Sequence, residues 1–153
     1  MGIPEHILLG RMEESMKNKD YIYIGCFVEQ KQLLDKVTEK NRLSRIIQYP
    51  HVTFCYEPAE VDKSLFGKIV KIKAIGYGND GKNEGLLVEV YSDNLQISKM
   101  AECIVTPHIT VSVAENEKAV NTRFLEFTKM EPFELEGIFG GYKKDGTLQL
   151  SNL

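Results

Sequence analysis

Hydrophobic and polar residues alternate along much of the chain, and this pattern predicts strands separated by short helices. The segments with alternating or continuous apolar, β-branched and aromatic residues are 21–28, 51–56, 69–77, 85–91, 108–113, 133–139 and 147–150. Apolar residues at helical spacing predict helices over 5–18, 29–40 and 117–127, and the pattern over 95–103 does not decide. Turn signals at 78–81 and at Asp145-Gly146 join neighbouring strands. This order predicts an α+β fold with an antiparallel sheet.

The predicted helices each carry one apolar face. Their apolar residues are Ile7, Leu8, Met12 and Met16 in the first, Leu33, Leu34 and Val37 in the second, and Val120, Phe124 and Phe127 in the third. No linker or low-complexity stretch divides the chain. We therefore expect one domain over 1–153, in which residues 1–20 form an N-terminal helical extension.

Composition narrows the classes of protein to which the chain can belong. Its 153 residues, 42% hydrophobic and 27% charged, suit one globular domain. The net charge of −3 argues against a protein that binds long nucleic acid by bulk attraction, but it leaves open a site for one or two phosphates. No segment approaches the roughly 20 apolar residues that span a bilayer, and no secretory signal is present, so we expect no membrane partner.

The three cysteines are Cys26, Cys55 and Cys103, and each lies in an apolar run. No Cys-x-x-Cys pair is present, which argues against a zinc site or a redox dithiol. We interpret all three as core residues. An odd number of thiols favours a reducing, cytoplasmic location.

One motif occurs twice. Tyr49-Pro50-His51-Val52-Thr53 is repeated as Thr106-Pro107-His108-Ile109-Thr110, and the two copies hold two of the three histidines. Because residues i and i+2 of a strand share a face, the His and the Thr of each copy lie side by side. If the copies belong to related halves that pack face to face, two imidazoles and two hydroxyls meet in one cleft.

Such a set of side chains suits phosphodiester hydrolysis. An imidazole titrates near 6.5, so at neutral pH one His can accept a proton from water while the other donates to a leaving oxygen. The hydroxyls can donate to the phosphoryl oxygens on which charge develops. No cluster of side chains has metal-ligand spacing, so we expect neither metal nor cofactor. Catalysis by paired histidines should give an activity with a bell-shaped pH dependence, with limbs on both sides of neutrality.

Paired His-x-Thr strands resemble the signature of the 2H phosphoesterase superfamily. The second half, Pro107 to Ser112 followed by Lys118-Ala119-Val120-Asn121-Thr122, is most similar to the cyclic phosphodiesterase domain of fungal and plant tRNA ligases. The resemblance covers residue 21 to the C-terminus. It implies a bilobal fold, with two antiparallel sheets facing each other across a cleft and helices outside. It also implies action on 2′,3′-cyclic phosphates or 2′-5′ linkages of RNA.

By this resemblance His51 and His108 are the catalytic acid–base pair, and Thr53 and Thr110 bind the substrate phosphate. His108 would be the base and His51 the acid for a 2′-phosphate product, and the roles exchange for a 3′-phosphate. The motifs lie 108 − 51 = 57 positions apart, which is shorter than is common in the superfamily. The segment before residue 21 has no counterpart, and there is no P-loop.

Aromatic and basic residues near the cleft are candidates for substrate contact. Tyr23, Tyr56 and Tyr142 could stack on a base, and Lys143-Lys144 could meet a phosphate chain. RNA ends or small cyclic nucleotides are the expected partners. Two alternatives to a 2′,3′-cyclic phosphodiesterase remain: a hydrolase of cyclic oligonucleotide second messengers, of the kind found among 2H proteins of phage origin, and a catalytically silent RNA-end or nucleotide-binding module.

Overall fold

The structure is α+β and mostly antiparallel sheet, as the hydrophobic pattern predicts. A computed structural model describes residues 18–152, so the helix expected over 5–18 lies almost entirely outside the described residues. The strands are β1 (Tyr21–Phe27), β2 (Arg45–Ile46), β3 (His51–Tyr56), β4 (Ile69–Asn79), β5 (Asn83–Tyr91), β6 (His108–Val113), β7 (Thr128–Lys143) and β8 (Leu148–Gln149). The helices are α1 (Gln30–Leu34) and α2 (Leu95–Glu102), with 3₁₀ turns at Glu39–Asn41, Lys63–Leu65 and Ala119–Phe124.

All eight strands join one antiparallel sheet. Its order is β2-β6-β5-β4-β7-β1-β3, and β8 pairs with β7. The strands that carry the repeated motif are β3, at one edge, and β6, next to the other edge. In a flat sheet these two strands would therefore be far apart.

The connection between the two edges shows that the sheet is curled. Ile47 N donates to Val111 O of β6 at 3.0 Å, and Pro50 O accepts from Val28 N, just beyond β1, at 2.9 Å. The Cα atoms of Ile47 and Pro50 are three residues apart and thus at most about 11 Å from each other. Six strand spacings of about 4.8 Å would put the edges roughly 29 Å apart in a flat sheet. The curl brings Cα atoms of β3 and β6 within 8 Å of each other.

The core lies on one face of this sheet. Alternating positions of β4 are buried, among them Val70, Ile72 and Ala74, as expected for a strand with one solvated face. Helix α2 packs against β5 through Ile97 and Ala101. No helix within residues 18–152 is long and apolar enough to cross a membrane.

The helix predicted over 117–127 is wrong. The structure has only a 3₁₀ turn there, and Val120 and Phe124 are 52% and 71% exposed while Thr122 is fully buried. Hydrogen bonds to two carbonyls explain the difference. Asn83 Nδ2 donates to Lys118 O and Thr110 Oγ1 donates to Ala119 O, which ties the segment to the sheet instead of to an α-helix.

Two further expectations need correction. The helix expected over 29–40 ends at Leu34, although Leu33 and Val37 are buried as its apolar face predicts. Only Cys26 is a core cysteine, since Cys55 and Cys103 are exposed. Cys55 follows Phe54, which packs on Phe139, so strand alternation turns Cys55 outward. Cys103 is the C-terminal cap residue of α2 and lies beyond its buried face.

Candidate functional site

The first motif lies on β3 beside β1. His51 pairs with Phe27 and Thr53 pairs with Gly25, and the register shifts just beyond this second pair, between Gly25 and Ile24. Pro50 precedes the strand, and its carbonyl accepts the backbone N–H that follows β1. Proline has no N–H to donate to a ladder, so the start of an edge strand is a position that it tolerates.

The second motif lies on β6 beside β5 in the same arrangement. His108 pairs with Leu87 and Thr110 pairs with Gly85, and the register again shifts just beyond the second pair, between Gly85 and Glu84. The Pro107 carbonyl accepts the backbone N–H of the residue after Leu87 at 3.0 Å. The pairing of the motif residues, the register shift and the hydrogen bond to the proline carbonyl therefore all repeat. The internal similarity thus extends to the neighbouring strands β1 and β5.

Both glycines are required by close contact with the motif strand. A Cβ on Gly25 would lie within 3.0 Å of Val52 O, and a Cβ on Gly85 would lie within 3.0 Å of Ile109 O. Val52 and Ile109 are the central residues of the two motifs. A side chain at either glycine would push the motif strand away, so each glycine allows the motif backbone to approach its neighbour.

Both histidines have the same tautomer. His51 Nδ1 lies 2.8 Å from Tyr49 O, and His108 Nδ1 lies 2.8 Å from Thr106 O. A carbonyl oxygen only accepts, so in the neutral imidazole Nδ1 carries the proton in each case and Nε2 keeps its lone pair. Within residues 18–152 neither Nε2 makes a hydrogen bond, so each can take a proton, or give one once the ring is protonated.

Aromatic rings hold the imidazole of His51. Tyr23 stacks on it at 4.5 Å between centroids, and Phe27 packs against it at 5.5 Å. Burial lowers the pKa of His51 to about 4, with a smaller contribution from the nearby His108, and the bond to Tyr49 O opposes this. The neutral form of His51 is therefore favoured at neutral pH.

His108 lies in a different environment. Its pKa is lowered mainly by burial and further by the positive charge of Arg123, while the bond to Thr106 O raises it. The pKa of His108 is lowered less than that of His51. His108 is therefore the first of the two to accept a proton as the pH falls.

The two threonines differ in accessibility. Thr53 is half-buried on β3, whereas Thr110 is only 8% exposed. Thr110 Oγ1 lies 2.7 Å from Thr122 Oγ1 and 3.1 Å from Ala119 O. Thr53 can therefore meet a ligand directly, and Thr110 can do so only by exchanging a bond within the protein.

Comparison with known proteins adds no further assignment. No family model matches the chain, and no curated protein matches it. The assignment to the 2H phosphoesterase superfamily stays a prediction, and the repeated motif and its geometry are what support it.

The three tyrosines predicted to stack on a base lie in different places. Tyr23 stacks on Tyr142 at 5.4 Å as well as on His51, and β1 lies between β3 and β7, so both faces of its ring are covered. A base could reach Tyr23 only if one neighbour moved. Tyr142 is half-buried beside Tyr49, with their ring centroids 6.5 Å apart. Tyr56 ends β3 and is 65% exposed.

Several residues near the site were not predicted from the sequence. Tyr49 opens the first motif, and its contact with Tyr142 follows from the order of the neighbouring strands β3, β1 and β7. Thr122 and Arg123 fall in the segment expected to form a helix, and Asn83 precedes the strand expected over 85–91. The sequence signal that could have identified Thr122 is its place in segment 118–122, for which a resemblance to the tRNA ligase domain was stated above.

Two cavities lie elsewhere on the described part of the chain. One of about 560 Å³ is lined by Asn41, Leu43, Tyr77, Gly78, Asn79, Glu126 and Thr128. The other, about 240 Å³, is lined by Ile24, Glu60, Val61, Asp62, Leu65, Gln96, Met100 and Phe139. Neither contains a motif His or Thr, so the repeated geometry and not a deep pocket identifies the candidate site. Within residues 18–152, no group of three His, Cys, Asp or Glu side chains could hold a metal ion.

Proposed function

We propose that the protein is a metal-independent phosphodiesterase that opens 2′,3′-cyclic phosphates of RNA ends or nucleotides. The observation that carries this proposal is the matched placement of His51 and His108. Each lies on a Pro-His-x-Thr strand opposite a Gly-containing strand, and each donates Nδ1–H to the carbonyl two residues earlier. Two equivalent imidazoles with free Nε2 atoms suit the paired acid and base that this reaction needs.

We also propose that the sheet comprises two related halves facing each other across a cleft. The pair β1/β3 and the pair β5/β6 repeat the same register, irregularity and glycine contact, which supports a bilobal arrangement. The approach of β3 to β6 supports a cleft between the motif strands.

The order of the two pKa values supports a particular division of roles. Between those values His51 is neutral and His108 is protonated, so His51 would take a proton from water while His108 protonates the leaving oxygen. The water oxygen bonds to phosphorus, and the bond from phosphorus to O2′ breaks. This division reverses the one carried over from the resemblance and, by the same resemblance, corresponds to a 3′-phosphate product.

The two threonines and Arg123 would recognise the phosphate itself. Hydroxyl protons of Thr53 and Thr110 would donate to non-bridging oxygens, whose charge increases in the transition state. Arg123, whose charge already acts on His108, would favour an anion at this place. An anion between the histidines also raises their pKa values, which promotes protonation of His108 once substrate is bound.

A substrate panel tests the function. The protein is incubated in EDTA with a 2′,3′-cyclic nucleotide, an RNA with a 2′,3′-cyclic phosphate end and a cyclic dinucleotide, alongside His51→Ala and His108→Ala. His6→Ala, which changes the histidine outside both motifs, is the matched control. We expect wild type and the control to open the 2′,3′-cyclic phosphates and both motif variants to be inactive.

Each other outcome has a definite meaning. Turnover of the cyclic dinucleotide alone would favour a second-messenger hydrolase, and binding without turnover would favour a silent module. Activity that disappears in EDTA and returns with a divalent metal would contradict the metal-independent mechanism. ³¹P NMR of the product distinguishes the roles, because a 2′-phosphate would restore His108 as the base.

A further inference from the structure

A buried chain of polar side chains leads to the hydroxyl of Thr110. Asn83 is 2% exposed and Thr122 is fully buried. Asn83 Nδ2 donates to Lys118 O at 2.9 Å and to Thr122 Oγ1 at 3.1 Å. Thr122 Oγ1 in turn lies 2.7 Å from Thr110 Oγ1. Such burial is costly unless each group has a partner, and each group here has one.

The direction of this chain follows from counting protons. Asn83 donates its two amide protons to Lys118 O and Thr122 Oγ1, so Thr122 accepts from Asn83 and still has its own proton to give. Ala119 O can only accept, so Thr110 gives its single proton to it at 3.1 Å, and the 2.7 Å contact between the two hydroxyls is a hydrogen bond when Thr122 donates to Thr110. The protons run in one direction, from Asn83 through Thr122 to Thr110.

We propose that Asn83 and Thr122 are positioning residues that make Thr110 a hydrogen-bond donor to the substrate's phosphoryl oxygen. A phosphoryl oxygen can only accept, so Thr110 is useful to it only as a donor. Because Thr110 Oγ1 accepts from Thr122, its own proton is not given to Thr122. That proton can go either to Ala119 O or to the ligand. This inference rests on the proposed function and adds to it a reason for the burial of Thr110.

The glycine opposite Thr110 serves the same arrangement. A Cβ on Gly85 would lie within 3.0 Å of Thr122 Cγ2, so the 3₁₀ turn can lie over Thr110 only because residue 85 has no side chain. At Gly25 the three atoms nearest to a Cβ would all belong to the backbone of Val52 and Thr53, so the close neighbour there is the motif strand and not a side chain like Thr122. The oriented hydroxyl is therefore a feature of the second motif.

Conservative substitutions test this proposal with the 2′,3′-cyclic nucleotide as substrate. Thr122→Val removes the proton that Thr122 gives to Thr110 but keeps the shape of the side chain, whereas Thr122→Ser keeps the hydroxyl. We expect kcat to fall roughly tenfold to a hundredfold in Thr122→Val, with KM changed less than about threefold, because the donor acts where charge develops. Thr122→Ser should stay within about threefold of wild type.

A double-mutant cycle separates positioning from a general structural effect. If Thr122 acts through Thr110, Thr122→Val should cost little more once Thr110→Val is present. Urea denaturation of each variant shows that the proteins compared are folded. Additive losses, or a Thr122→Val variant as active as wild type, would overturn the proposal while leaving the function intact.

The inference can also be tested if the wild type hydrolyses none of the substrates. Titration calorimetry with inorganic phosphate then replaces turnover, and Thr122→Val should bind it at least about fivefold more weakly than Thr122→Ser. Equal affinities would overturn the positioning role. If wild type binds no phosphate and hydrolyses nothing, both this inference and the proposed function are overturned.

Discussion

Lowering the pH from 7 to 5 should destabilise the protein through His51. Burial beside Tyr23 and Phe27, with the nearby His108, lowers the pKa of His51 to about 4, from the 6.5 of a free imidazole. Between these values the unfolded chain binds the proton and the folded protein does not, so a fall in pH favours unfolding. Integrating this difference from pH 7 to pH 5 gives a loss of about 2 kcal/mol from this one side chain.

Urea denaturation at both pH values measures this contribution when wild type is compared with His51→Gln. Glutamine does not titrate in this range, and its amide can still donate to Tyr49 O. Contributions from groups that do not interact with His51 cancel in the comparison, so the free energy lost between pH 7 and pH 5 should be about 2 kcal/mol smaller in the variant. A difference below about 0.5 kcal/mol, within the error of extrapolation, would show that the packing does not perturb His51.

Three other predictions concern the second motif and the pH dependence. Gly85→Ala should lower the free energy of unfolding by about 1–3 kcal/mol in urea denaturation, because its Cβ would clash with Thr122 and Ile109. The control is Gly81→Asn, in an open left-handed turn, which should change the free energy of unfolding by less than about 0.5 kcal/mol. Arg123→Gln should raise the pKa of His108 in an NMR titration, since a positive charge is removed, and an unchanged or lower pKa would contradict this electrostatic role. Because both pKa values lie below 6.5 in the free protein, kcat/KM should be maximal below pH 6.5 and fall above it; a maximum at pH 8 would contradict the paired-histidine assignment.

The strands could be predicted because their apolar and β-branched residues either alternate, as in β4, or run almost continuously, as in β6, which is buried on both faces. The segments 51–56 and 108–113 match β3 and β6 residue for residue, and the Asp145-Gly146 signal lies between β7 and β8. Alternation reports a local property, namely which side chains point to the core, and it needs no knowledge of strand order.

The segment 117–127 shows where local pattern fails. Val120 and Phe124 have the spacing of a helix face, but Asn83 and Thr110 bind the backbone carbonyls of Lys118 and Ala119. Those bonds join residues 35 and 9 positions apart along the chain. Tertiary hydrogen bonds therefore override the local preference, and the sequence pattern contains no sign of them.

The sequence was enough to select the residues of the candidate site, but it did not predict how the surroundings of the two motifs differ. Repetition of Pro-His-x-Thr identified His51 and His108. A second repeat can be read in the sequence, since segments 25–28 and 85–88 both begin with Gly and end with Val. The stacking of Tyr23 on His51 depends on the pairing of β1 with β3, and the contact of Thr122 with Thr110 depends on the 3₁₀ turn that replaces the expected helix. The expected pH limbs on both sides of neutrality assumed ordinary imidazole pKa values, and burial lowers both of them.

The most direct test of the central claim is the rate of 2′,3′-cyclic nucleotide hydrolysis by wild type, His51→Asn, His108→Asn and the double variant, measured in EDTA. If the two imidazoles act together as acid and base, each single substitution should lower kcat by about 10²- to 10⁴-fold. The double variant should lose little more than the worse single variant, because groups that act as a unit are not additive. A wild type that hydrolyses the substrate while either single variant keeps more than about a tenth of its rate would contradict the claim.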